Sequence, residues 1–316
     1  MKKLAIVGAS GLVGQEVFKV LREEELLNEF EIFMFVSEKT AGQVMVDGDN
    51  HYSLFALNDD VFRSKFDYAF FLTSEEISRV WIPRFVSYGV RVIDNSSAFR
   101  LHKEVPLIVP EINFDKVMGN KIISNPNCST IQLVIILDRL MKLATLKRVI
   151  VSSYQSVSGA GKDALLDLEC GTTNVFKQGI RDNIIPQIGS ILPNYECSEE
   201  HKIIHETQKI LDSKIEIFAT TARVPISYCH GESVFVEFDT AVDIEDVKKI
   251  LNVDYIKLGE ENFLFTECRS SNLTYVCRLR QSKENVLQMF IIADNLRRGA
   301  AYNAVEILKR LLFADK

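Results

Sequence analysis

The sequence predicts an α/β protein with two domains, an N-terminal Rossmann-type domain and a following α+β domain with a mixed sheet. Three observations predict it. The chain opens with a short apolar strand, a glycine loop and a helix; strands and helices then alternate up to about residue 127; and from about residue 149 the strands become longer and more regularly alternating. A chain of 316 residues is long enough for two domains that each have a core.

The first domain is predicted from a repeated strand–helix pattern. Residues 3–7 form an apolar strand, residues 13–21 have helical periodicity, and residues 31–36 form the next strand. The pattern returns at residues 68–72 and 90–93. Alternation of this kind is typical of a mostly parallel sheet that is covered by helices on both faces.

The second domain is predicted from its alternating strands and the helices between them. The strands are expected at residues 149–154, 214–224, 233–238, 273–280 and 287–293. The helices are expected at residues 162–169, 198–211 and 243–251. A final amphipathic helix, residues 299–313, is expected to pack back on the first domain. The predicted domains are therefore 1–127 with 296–316, and 128–295.

Composition and charge exclude several classes of protein. The net charge is −6, and the absence of a basic run disfavours nucleic-acid or membrane attraction. The longest apolar segment is interrupted by Asp138 and Arg139, and the opening strand leaves no room for a signal peptide. The six cysteines are scattered without the paired spacing of a metal site or a disulfide framework. We expect a cytoplasmic protein without a bound metal.

The glycine loop between the first strand and the first helix predicts dinucleotide binding. Its G-x-x-G-x-x-G spacing is one residue longer than the common fingerprint, and three glycines could also simply make a tight turn. Its place at the first strand–helix junction favours a pyrophosphate site, because helix N–H groups meet the ligand there. The cofactor-contacting residues predicted in this loop are Gly8, Ser10, Gly11, Leu12, Val13 and Gly14.

The end of the second strand favours NADP over NAD. An NAD site usually has an acidic residue here, which binds the ribose 2′-hydroxyl. This chain has Ser37 at that place, followed by Glu38, Lys39 and Thr40. Lys39 could meet a 2′-phosphate, and Glu38 is the one residue of the loop that argues the other way. Ser37, Lys39 and Thr40 are the predicted contacts.

Cys128 is the strongest candidate for a nucleophile. It follows a short strand and a Pro-containing turn, and it precedes a helix predicted over residues 129–143 that Ser129 or Thr130 could cap. A thiol at a helix N-terminus is favoured as the thiolate by the unpaired N–H groups and the helix dipole. A small buried residue is the alternative, and the local sequence leaves both interpretations open.

Ten segments in order resemble the aspartate-β-semialdehyde dehydrogenase family along essentially the full chain. The first five are Gly-Ala-Ser-Gly-Leu-Val-Gly (8–14), Asp-Asn-Ser-Ser-Ala-Phe-Arg (94–100), Val-Pro-Glu-Ile-Asn (109–113), Asn-Pro-Asn-Cys-Ser-Thr (125–130) and Tyr-Gln-Ser-Val-Ser-Gly-Ala-Gly (154–161). The others are Asn-Ile-Ile-Pro-Gln-Ile-Gly (183–189), Glu-Glu-His-Lys (199–202), Ala-Arg-Val-Pro (222–225), His-Gly-Glu-Ser (230–233) and Asp-Asn-Leu-Arg-Arg-Gly-Ala-Ala (294–301). Departures are the Glu38-Lys39 pair, where the family often has Arg, and Cys229, where it often has Gly.

The resemblance implies a reaction and a catalytic set. The family reduces L-aspartyl-4-phosphate with NADPH to L-aspartate 4-semialdehyde and phosphate, a step toward lysine, threonine, methionine and diaminopimelate. By resemblance, Cys128 attacks the acyl phosphate and forms a thioester. His230 resembles the general acid/base, and Gln155 resembles the residue that orients the substrate.

The resemblance also implies how the charged substrate is bound. Arg223 matches the residue that holds the α-carboxylate, and Arg100 and Lys202 match the phosphate ligands. Glu199 matches the partner of the substrate ammonium, although a Glu–Lys pair three residues apart is also common on helix surfaces. Asn127 lies in the cysteine motif and is included in the substrate site. By resemblance, the residues that line the cofactor and nicotinamide pocket are Asn95, Ser158, Gly159 and Asn295.

Two other functions fit part of this pattern. A sibling acyl-phosphate reductase, such as the N-acetyl-glutamyl-phosphate enzyme, would share the loop, the Cys and the His, but its substrate has no free ammonium for Glu199. A non-catalytic NADP-binding paralogue would have no need of a nucleophile. The resemblance further implies a homodimer built through the second domain.

Overall fold

The computed structural model describes residues 1–117, 119–259, 263 and 265–314. The chain divides into two compact units. Unit 1 comprises Met1–Pro126 and Ala300–Lys316, and unit 2 comprises Asn127–Gly299. No helix within the described ranges has the length and apolar character that a membrane crossing requires.

Unit 1 contains a seven-stranded sheet. Its strands are β1 (Lys2–Val7), β2 (Phe30–Val36), β3 (Val44–Asp47), β4 (Asn50–Ala56), β5 (Tyr68–Phe71), β6 (Arg91–Asp94) and β7 (Ile122–Ser124). Its helices are α1 (Leu12–Glu23), α2 (Glu75–Ser87), α3 (Pro110–Asn113) and the C-terminal helix α8 (Tyr302–Ala314). The strand order is β3-β4-β2-β1-β5-β6-β7, and every described neighbouring pair is parallel except β3 and β4.

Both faces of this sheet are buried, which explains why β1 is a continuous apolar run. Leu4 and Ile6 point into a core that contains residues of α1 and α8, including Val17 and Ile307. The alternate residues of β1 belong to a second core on the other face, which contains Phe85 of α2. A parallel strand buried on both faces needs apolar side chains at every position. The predicted Rossmann-type arrangement is therefore confirmed.

Unit 2 contains a six-stranded mixed sheet. Its strands are β8 (Leu146–Gln155), β9 (Glu216–Arg223), β10 (His230–Phe238), β11 (Ile256–Leu258), β12 (Thr274–Lys283) and β13 (Val286–Ala293). Its helices are α4 (Cys128–Met141), α5 (Lys162–Cys170), α6 (Ser198–Ile210) and α7 (Ile244–Leu251). The order is β11-β12-β13-β10-β8-β9, with parallel pairs at both ends and antiparallel pairs between them. The predicted α+β domain with a mixed sheet is confirmed.

The two faces of the second sheet differ in character. On β8, Val149, Val151 and Gln155 are buried, and helix α4 contacts this sheet. The alternate residues Ile150 and Tyr154 are exposed, with 42% and 38% of their surface accessible. This face also carries exposed Phe218 on β9. One face is therefore a core, and the other is an exposed surface with large apolar side chains.

Several elements begin or end elsewhere than the sequence predicts. Strand β10 begins at His230 rather than at 233, because its first three residues pair with β8 although they do not show an apolar alternation. Helix α8 begins at Tyr302 and follows a π-helical turn, Arg297–Ala301, rather than beginning at 299. The β3–β4 hairpin and the short strand β11 were not predicted. Strands β3 and β11 have only four and three residues, which give little periodicity.

Candidate active site

Helix α4 places Cys128 at its first position, and Asn127 caps it. The Asn127 Oδ1 atom accepts hydrogen bonds from the main-chain N–H groups of Ser129 (2.9 Å) and Thr130 (3.3 Å). The prediction that Ser129 or Thr130 forms the cap is wrong, because the helix starts at Cys128 and both residues lie inside its first turn. A cap needs extended backbone, which Asn127 has with ψ of 146°. The half-buried thiol therefore stands at the positive end of the helix.

Three strands bring His230, Gln155 and Arg223 into one row. In the register of the sheet, His230 on β10 pairs with Gln155 on β8, and Gln155 pairs with Arg223 on β9. Gln155 and Arg223 are the last residues of the parallel strands β8 and β9, and His230 is the first residue of the antiparallel strand β10. All three therefore lie at the same end of these neighbouring strands. All three side chains are buried. Residues 68 to 75 positions apart in the sequence thus become neighbours.

Gln155 and Asn127 both donate to the carboxylate of Glu199. The Glu199 Oε1 atom accepts from Asn127 Nδ2 at 2.7 Å and lies 3.2 Å from Gln155 Nε2. Gln155 Nε2 also donates to the Ser129 hydroxyl at 2.9 Å. These contacts join the first turn of α4, the end of β8 and the start of α6. Asn127, Gln155 and Glu199, three of the residues predicted for the site in unit 2, thus share one hydrogen-bonded network.

Glu199 is a buried carboxylate that stays ionised. Burial by itself would raise the pKa of Glu199, but Lys202, the Asn127 and Gln155 amides, and Arg223 together hold that pKa below its usual value. Lys202 lies one turn further along α6, with its Nζ 3.2 Å from Glu199 Oε2 and its side chain partly exposed. The cluster therefore combines an anion and two cations in a largely water-excluded space.

Arg223 connects the charged groups of the cluster. Its Nη1 donates to the main-chain carbonyl of Ser156 at 2.7 Å, and its Nε is buried without a hydrogen-bond partner among the described residues. Burial lowers the pKa of Arg223, and the charges of Glu199 and Cys128 oppose that change. A guanidinium has too high a pKa to lose its proton here, so it remains a cation near the thiol. A nearby cation favours negative charge on sulfur.

His230 is fully buried and is held through one ring nitrogen. Its Nδ1 lies 3.1 Å from the main-chain nitrogen of Ser156 and 3.1 Å from the Ser156 hydroxyl. Within the described part of the chain, its Nε2 has no hydrogen-bond partner. Burial and the Arg223 charge lower the pKa of His230 to about 3, although Glu199 and a hydrogen bond with the Cys229 main chain oppose this change. The ring is therefore neutral at physiological pH.

The residues predicted for the nicotinamide pocket lie against this cluster. A Cβ added to Gly159 would approach Arg223 Nη1 to 2.9 Å and His230 Nε2 to 3.3 Å, so no larger residue fits without movement. Asn295 Nδ2 donates to the Ser158 hydroxyl at 3.0 Å. Its Oδ1 accepts the main-chain N–H of Cys229 at 3.0 Å. Ser158 and Asn295 are buried and support the strand end that carries His230.

Glu206 and Gly299 are among the residues of the cluster that sequence reasoning did not single out. Glu206 accepts the main-chain N–H of Asn127 through Oε2 at 2.7 Å. It lies seven residues after Glu199, so the spacing of two helical turns could have indicated a shared face. Gly299 packs beside the nucleophile, since an added Cβ would come within 2.9 Å of the Cys128 Cβ. This second contact depends on tertiary packing and leaves no signal in the local sequence.

The glycine loop of unit 1 is shaped by close approach of main-chain atoms. Gly8 has a φ of +91°, and an added Cβ would lie 2.4 Å from the Leu72 carbonyl oxygen. An added Cβ at Gly14 would lie 2.3 Å from the Gly8 carbonyl oxygen, whereas at Gly11 the closest atom is 3.3 Å away. Ser10, Leu12 and Val13 of the same loop are partly exposed. Glycine is thus required for the turn and for helix packing at two of its three positions.

The residues predicted to select NADP lie on an exposed turn after β2. Ser37 and Lys39 are exposed, and Thr40 is half-buried. The hydroxyls of Ser37 and Thr40 lie 3.4 Å apart. Lys39 is therefore available to solvent and to an anionic ligand.

Arg100 also lies in unit 1, on the loop that follows β6. It is buried and donates from Nη2 to the Asn95 carbonyl at 2.7 Å. Asp94, which sequence reasoning did not single out, organises the start of this loop by accepting from the Ser96 N–H (2.9 Å) and hydroxyl (3.0 Å). Burial raises the pKa of Asp94 to about 6, although the Ser96 hydrogen bonds and the Arg100 charge oppose this.

All six cysteines belong to the described residues, and none forms a disulfide. Within the described ranges, no group of three or more His, Cys, Asp and Glu side chains is arranged to hold a metal ion.

Comparison with known proteins identifies the family. The chain is 37% identical over 335 residues to the aspartate-semialdehyde dehydrogenase of Aquifex aeolicus, with 98% of each chain covered. The chain belongs to the aspartate-semialdehyde dehydrogenase family. The enzyme of the same name from Rickettsia bellii is likewise 37% identical, over 331 residues, with 98% of this chain and 97% of the relative covered. Membership makes the chain an oxidoreductase and confirms the resemblance of the ten segments.

The family models divide the chain in two. The semialdehyde dehydrogenase NAD-binding domain matches residues 3–119, and the semialdehyde dehydrogenase dimerisation domain matches residues 137–298. Among solved structures, the aspartate semialdehyde dehydrogenase II of Vibrio cholerae complexed with ASA superposes with a TM-score of 0.93 at 34% identity. That alignment covers 99% of this chain and 98% of the other. The aspartate-semialdehyde dehydrogenase fold thus extends over almost the whole chain, and residues 3–119 form its pyridine-nucleotide-binding domain.

Proposed function

We propose that the protein reduces L-aspartyl-4-phosphate to L-aspartate 4-semialdehyde and phosphate, with NADPH as the reductant and a thioester on Cys128 as the intermediate. Family membership supports the reaction class. The observation that carries the rest is the buried cluster of Cys128, Gln155, Arg223 and Glu199 in unit 2. In this proposal the enzyme is cytoplasmic and acts in the biosynthesis of lysine, threonine, methionine and diaminopimelate.

The charges of the cluster match the substrate. The amino-acid end of aspartyl phosphate carries one carboxylate and one ammonium, and the cluster offers Arg223 and Glu199. The unpartnered Nε of Arg223 is the donor that a bidentate carboxylate would use together with an Nη. Glu199 is ionised, so it can accept from an ammonium. Asn127 completes the site by donating a hydrogen bond to Glu199 Oε1, the same oxygen that accepts a hydrogen bond from Gln155.

The same argument favours the aspartyl substrate over the N-acetyl-glutamyl one. An N-acetylated amine is uncharged and cannot neutralise Glu199. A buried carboxylate without an added cation costs more free energy than one that meets an ammonium. A non-catalytic paralogue is disfavoured because Cys128 retains a helix N-terminus, a nearby cation and an ordered neighbour in Gln155.

In the proposed mechanism the residues act one after another. The Cys128 thiolate attacks the acyl carbon, and the carbonyl electron pair moves to oxygen and returns as the C–O bond to phosphate breaks. Arg100 and Lys202 are the proposed cations for the departing phosphate. The bound cofactor supplies the hydride that reduces the thioester carbon. The oxyanion that hydride addition leaves on the substrate then collapses, which releases the aldehyde and returns Cys128 to the thiolate. His230 faces the reacting oxygen through Nε2.

The glycine loop fits a dinucleotide pyrophosphate. Helix α1 has Gly11 at its cap, no side-chain cap and no acidic residue in its first turn, which leaves main-chain N–H groups for an anion. Gly8 and Gly14 keep the loop close to the strand and the helix. Ser37, Lys39 and Thr40 support NADP, because an exposed ammonium beside two hydroxyls suits a 2′-phosphate and no carboxylate ends β2. Ser158, Gly159 and Asn295 are proposed near the nicotinamide.

The exposed face of the second sheet supports a homodimer. It displays Ile150, Tyr154 and Phe218, and large apolar groups clustered on one face mark an interaction surface. The match to a dimerisation-domain model over residues 137–298 favours a second copy of this chain as the partner.

One assay tests the proposed reaction. Purified protein is mixed with L-aspartate 4-semialdehyde, phosphate and NADP, and NADPH formation is followed by absorbance. We expect activity that requires phosphate and exceeds the activity with N-acetyl-glutamate semialdehyde by at least about 100-fold, since an uncharged N-acetyl group cannot form the ion pair with Glu199 that an ammonium forms. Preference for the acetylated substrate, or no NADPH formation with either, would contradict the proposal.

A further inference from the structure

Three asparagine side chains of unit 1 form a hydrogen-bonded series, the amide ladder. Asn303 lies in the first turn of α8, Asn125 directly follows β7, and Asn95 directly follows β6. Asn303 Nδ2 donates to Asn125 Oδ1 at 2.6 Å, and Asn125 Nδ2 donates to Asn95 Oδ1 at 2.7 Å. Asn303 and Asn125 are fully buried, whereas Asn95 is half-buried. The amide ladder therefore leads from the interior of unit 1 to a side chain that a ligand can reach.

Two main-chain carbonyl groups fix the direction of the amide ladder. The Ile108 carbonyl oxygen lies 2.9 Å from Asn303 Nδ2, and the Ala300 carbonyl oxygen lies 3.2 Å from Asn125 Nδ2. A carbonyl oxygen can only accept, so each of these amides must turn its NH₂ group toward it. A reversed amide would set one acceptor against another in a buried site. The arrangement is therefore kept although Asn303 Oδ1 has no hydrogen-bond partner among the described residues.

This direction is passed on to Asn95. Because Asn125 presents its NH₂ group, Asn95 must present Oδ1 to it. The main chain of Asn95 is also occupied, since its N–H donates to the Phe71 carbonyl at 2.9 Å and its carbonyl accepts from Arg100 Nη2 at 2.7 Å. Within the described part of the chain, Nδ2 is thus the polar atom of Asn95 that remains without a partner. The amide ladder ends in a donor whose direction is fixed.

The strand order places this donor on the nicotinamide side of the proposed cofactor site. Strand β1 carries the glycine loop, β2 lies on one side of it, and β5 followed by β6 lies on the other. The turn proposed for the 2′-phosphate follows β2, whereas Asn95 follows β6, two strand spacings or roughly 10 Å from β1 in the opposite direction. A dinucleotide lies across the carboxyl ends of the strands with its pyrophosphate at the glycine loop. Its nicotinamide half then lies on the side of Asn95.

We propose that Asn303 and Asn125 are positioning residues that hold the Asn95 Nδ2 group as a donor to the carbonyl oxygen of the nicotinamide carboxamide. The family resemblance implies only that Asn95 lines the pocket, and it assigns nothing to Asn125 or Asn303. The inference rests on the proposed function for the cofactor and deepens it by naming the buried side chains that direct one of its contacts. A side chain that is already oriented loses less freedom when the ligand binds, so the amide ladder supports cofactor affinity.

Cofactor binding tests the proposal without turnover. The protein is titrated calorimetrically at pH 8 with two probes, the 3-acetylpyridine analogue of NADP and 2′-phospho-ADP-ribose. The acetyl group of the first has the same carbonyl oxygen as the carboxamide but no N–H that a reversed amide would accept. The second probe lacks the pyridine ring. Weakened binding of the first probe alone therefore reports the contact at the carbonyl oxygen.

Asn125→Asp reverses the direction of the amide ladder. The new carboxylate still accepts from Asn303 but has no donor for Asn95, so the Asn95 amide turns its NH₂ group inward and its Oδ1 toward the ligand. We expect the Kd of the acetylpyridine analogue to rise at least about 10-fold, because a hydrogen bond is lost and two acceptors are opposed. The Kd of 2′-phospho-ADP-ribose should stay within about 2-fold of wild type. Unchanged binding of the analogue, or equal weakening of both probes, would overturn the proposal.

Two further variants keep the test available if Asn125→Asp does not fold. Asn95→Asp leaves the amide ladder intact and removes only its terminal donor, and it should weaken the analogue at least about 10-fold. Asn125→Ala adds no charge and frees the Asn95 amide to rotate, and it should weaken the analogue at least about 3-fold. Asn28→Asp, at an exposed asparagine of unit 1, is the matched control and should bind both probes as wild type does. If Asn125→Ala binds the analogue as tightly as wild type, Asn125 is not a positioning residue.

Phosphate is the other ligand that offers acceptor oxygens to such a donor. In the reverse reaction, Asn125→Ala should leave the KM for phosphate within about 2-fold of wild type. A raised KM for phosphate together with unchanged binding of the analogue would assign the donor to phosphate and overturn the proposal.

These measurements distinguish failure of the inference from failure of the proposed function. Activity of the wild type with aspartate semialdehyde, combined with equal weakening of both probes by Asn125→Asp, leaves the function in place and removes the inference. Absence of that activity removes the function, whereas selective weakening of the analogue still supports the amide ladder. If NAD proves to be the cofactor, the same comparison is made with the acetylpyridine analogue of NAD and ADP-ribose.

Discussion

The glycine loop of unit 1 and the polar cluster of unit 2 are built in opposite ways. In the loop, main-chain atoms approach one another so closely that side-chain atoms are excluded: a Cβ at Gly8 or Gly14 would lie within 2.4 Å of a carbonyl oxygen. In the cluster, the side chains of Asn127, Gln155 and Glu199 are buried and hydrogen-bonded to one another. Added atoms should therefore damage the first site, and removed polar atoms should damage the second.

Two buried carboxyl groups show the same contrast in electrostatics. Asp94 has hydrogen bonds from Ser96 and Ser78 and the charge of Arg100 acts on it, yet burial raises its pKa to about 6. Glu199 has Lys202 beside it as well as two amide donors, and its pKa is lowered. Burial acts on both groups, and it prevails at Asp94, whereas at Glu199 the Lys202 charge, the amide donors and Arg223 together outweigh it.

The largest expected effect is on turnover when the nucleophile is removed. Cys128→Ala should lower kcat by a factor on the order of 10⁴ or more, because no other group can form the thioester. Steady-state and burst kinetics measure it. Cys170→Ala, at an exposed cysteine that ends α5, is the control and should leave kcat within about 2-fold of wild type, as is usual for surface substitutions. Substantial activity in the Cys128 variant would remove the thioester from the mechanism.

A pH series of unfolding tests the contrast between the carboxyl groups. The folded pKa of Asp94, about 6, exceeds the ordinary 3.8, so its protonated form contributes stability below pH 3.8 that is lost as pH rises through 6. Relative to Asp94→Asn, the wild type should lose on the order of 3 kcal/mol of unfolding free energy between pH 4 and 7. Urea unfolding at several pH values measures it. If the difference in unfolding free energy between the wild type and Asp94→Asn does not change with pH, the pKa of Asp94 is not raised in the folded protein.

Adding one carbon to the loop should distinguish its glycines. Gly14→Ala should destabilise the protein by about 2 kcal/mol, since the new Cβ would meet the Gly8 and Ala9 carbonyl oxygens at 2.3 and 2.7 Å. Gly11→Ala, whose Cβ meets its closest atom at 3.3 Å, is the matched control in the same loop. Thermal unfolding without cofactor gives both values. Equal effects of the two substitutions would contradict the close approach at Gly14.

Exchange of cations in the cluster tests the division of labour among charges. Arg223→Lys should lose at least about 10-fold in kcat/KM for the semialdehyde, because an ammonium cannot copy two parallel hydrogen bonds. Lys202→Ala should chiefly raise the KM for phosphate in the reverse reaction. Arg79→Lys, in an exposed Glu75 ion pair, is the control for the exchange itself. The phosphate assignment fails if Lys202→Ala weakens only the semialdehyde.

The smallest expected effect is on cofactor choice. Lys39→Ala should lower kcat/KM for NADP by roughly 5-fold and leave NAD unchanged, since an exposed charge pair contributes up to about 1 kcal/mol. Lys65→Ala, at another exposed lysine of unit 1, controls for the loss of charge. Equal specificity constants for NAD and NADP in the wild type would rule out the proposed role of the Ser37–Thr40 turn.

Local sequence was enough for the fold class and for the glycine loop. A strand buried on both faces must be apolar throughout, and a loop that approaches its own main chain must contain glycine, so both leave a direct mark on the residues. Boundaries were less well predicted where polar residues enter a strand. His230 and Glu232 of β10 are both buried, yet neither contributes to an apolar alternation.

The motifs named the members of the cluster, but only the tertiary structure decided how they meet. The row of His230, Gln155 and Arg223 exists because three strands align at those residues. Asn127, the N-cap of α4, is held in place by Glu199 and Glu206, which lie two turns apart on α6. Glu199 accepts a hydrogen bond from its side-chain amide, and Glu206 accepts one from its main-chain N–H. The hydrogen bond from the Ser156 main-chain N–H to His230 Nδ1 joins residues that lie 74 positions apart in the sequence. Hydrogen bonds of this kind depend on the direction of main-chain groups in space, and the order of residue types does not encode that direction locally.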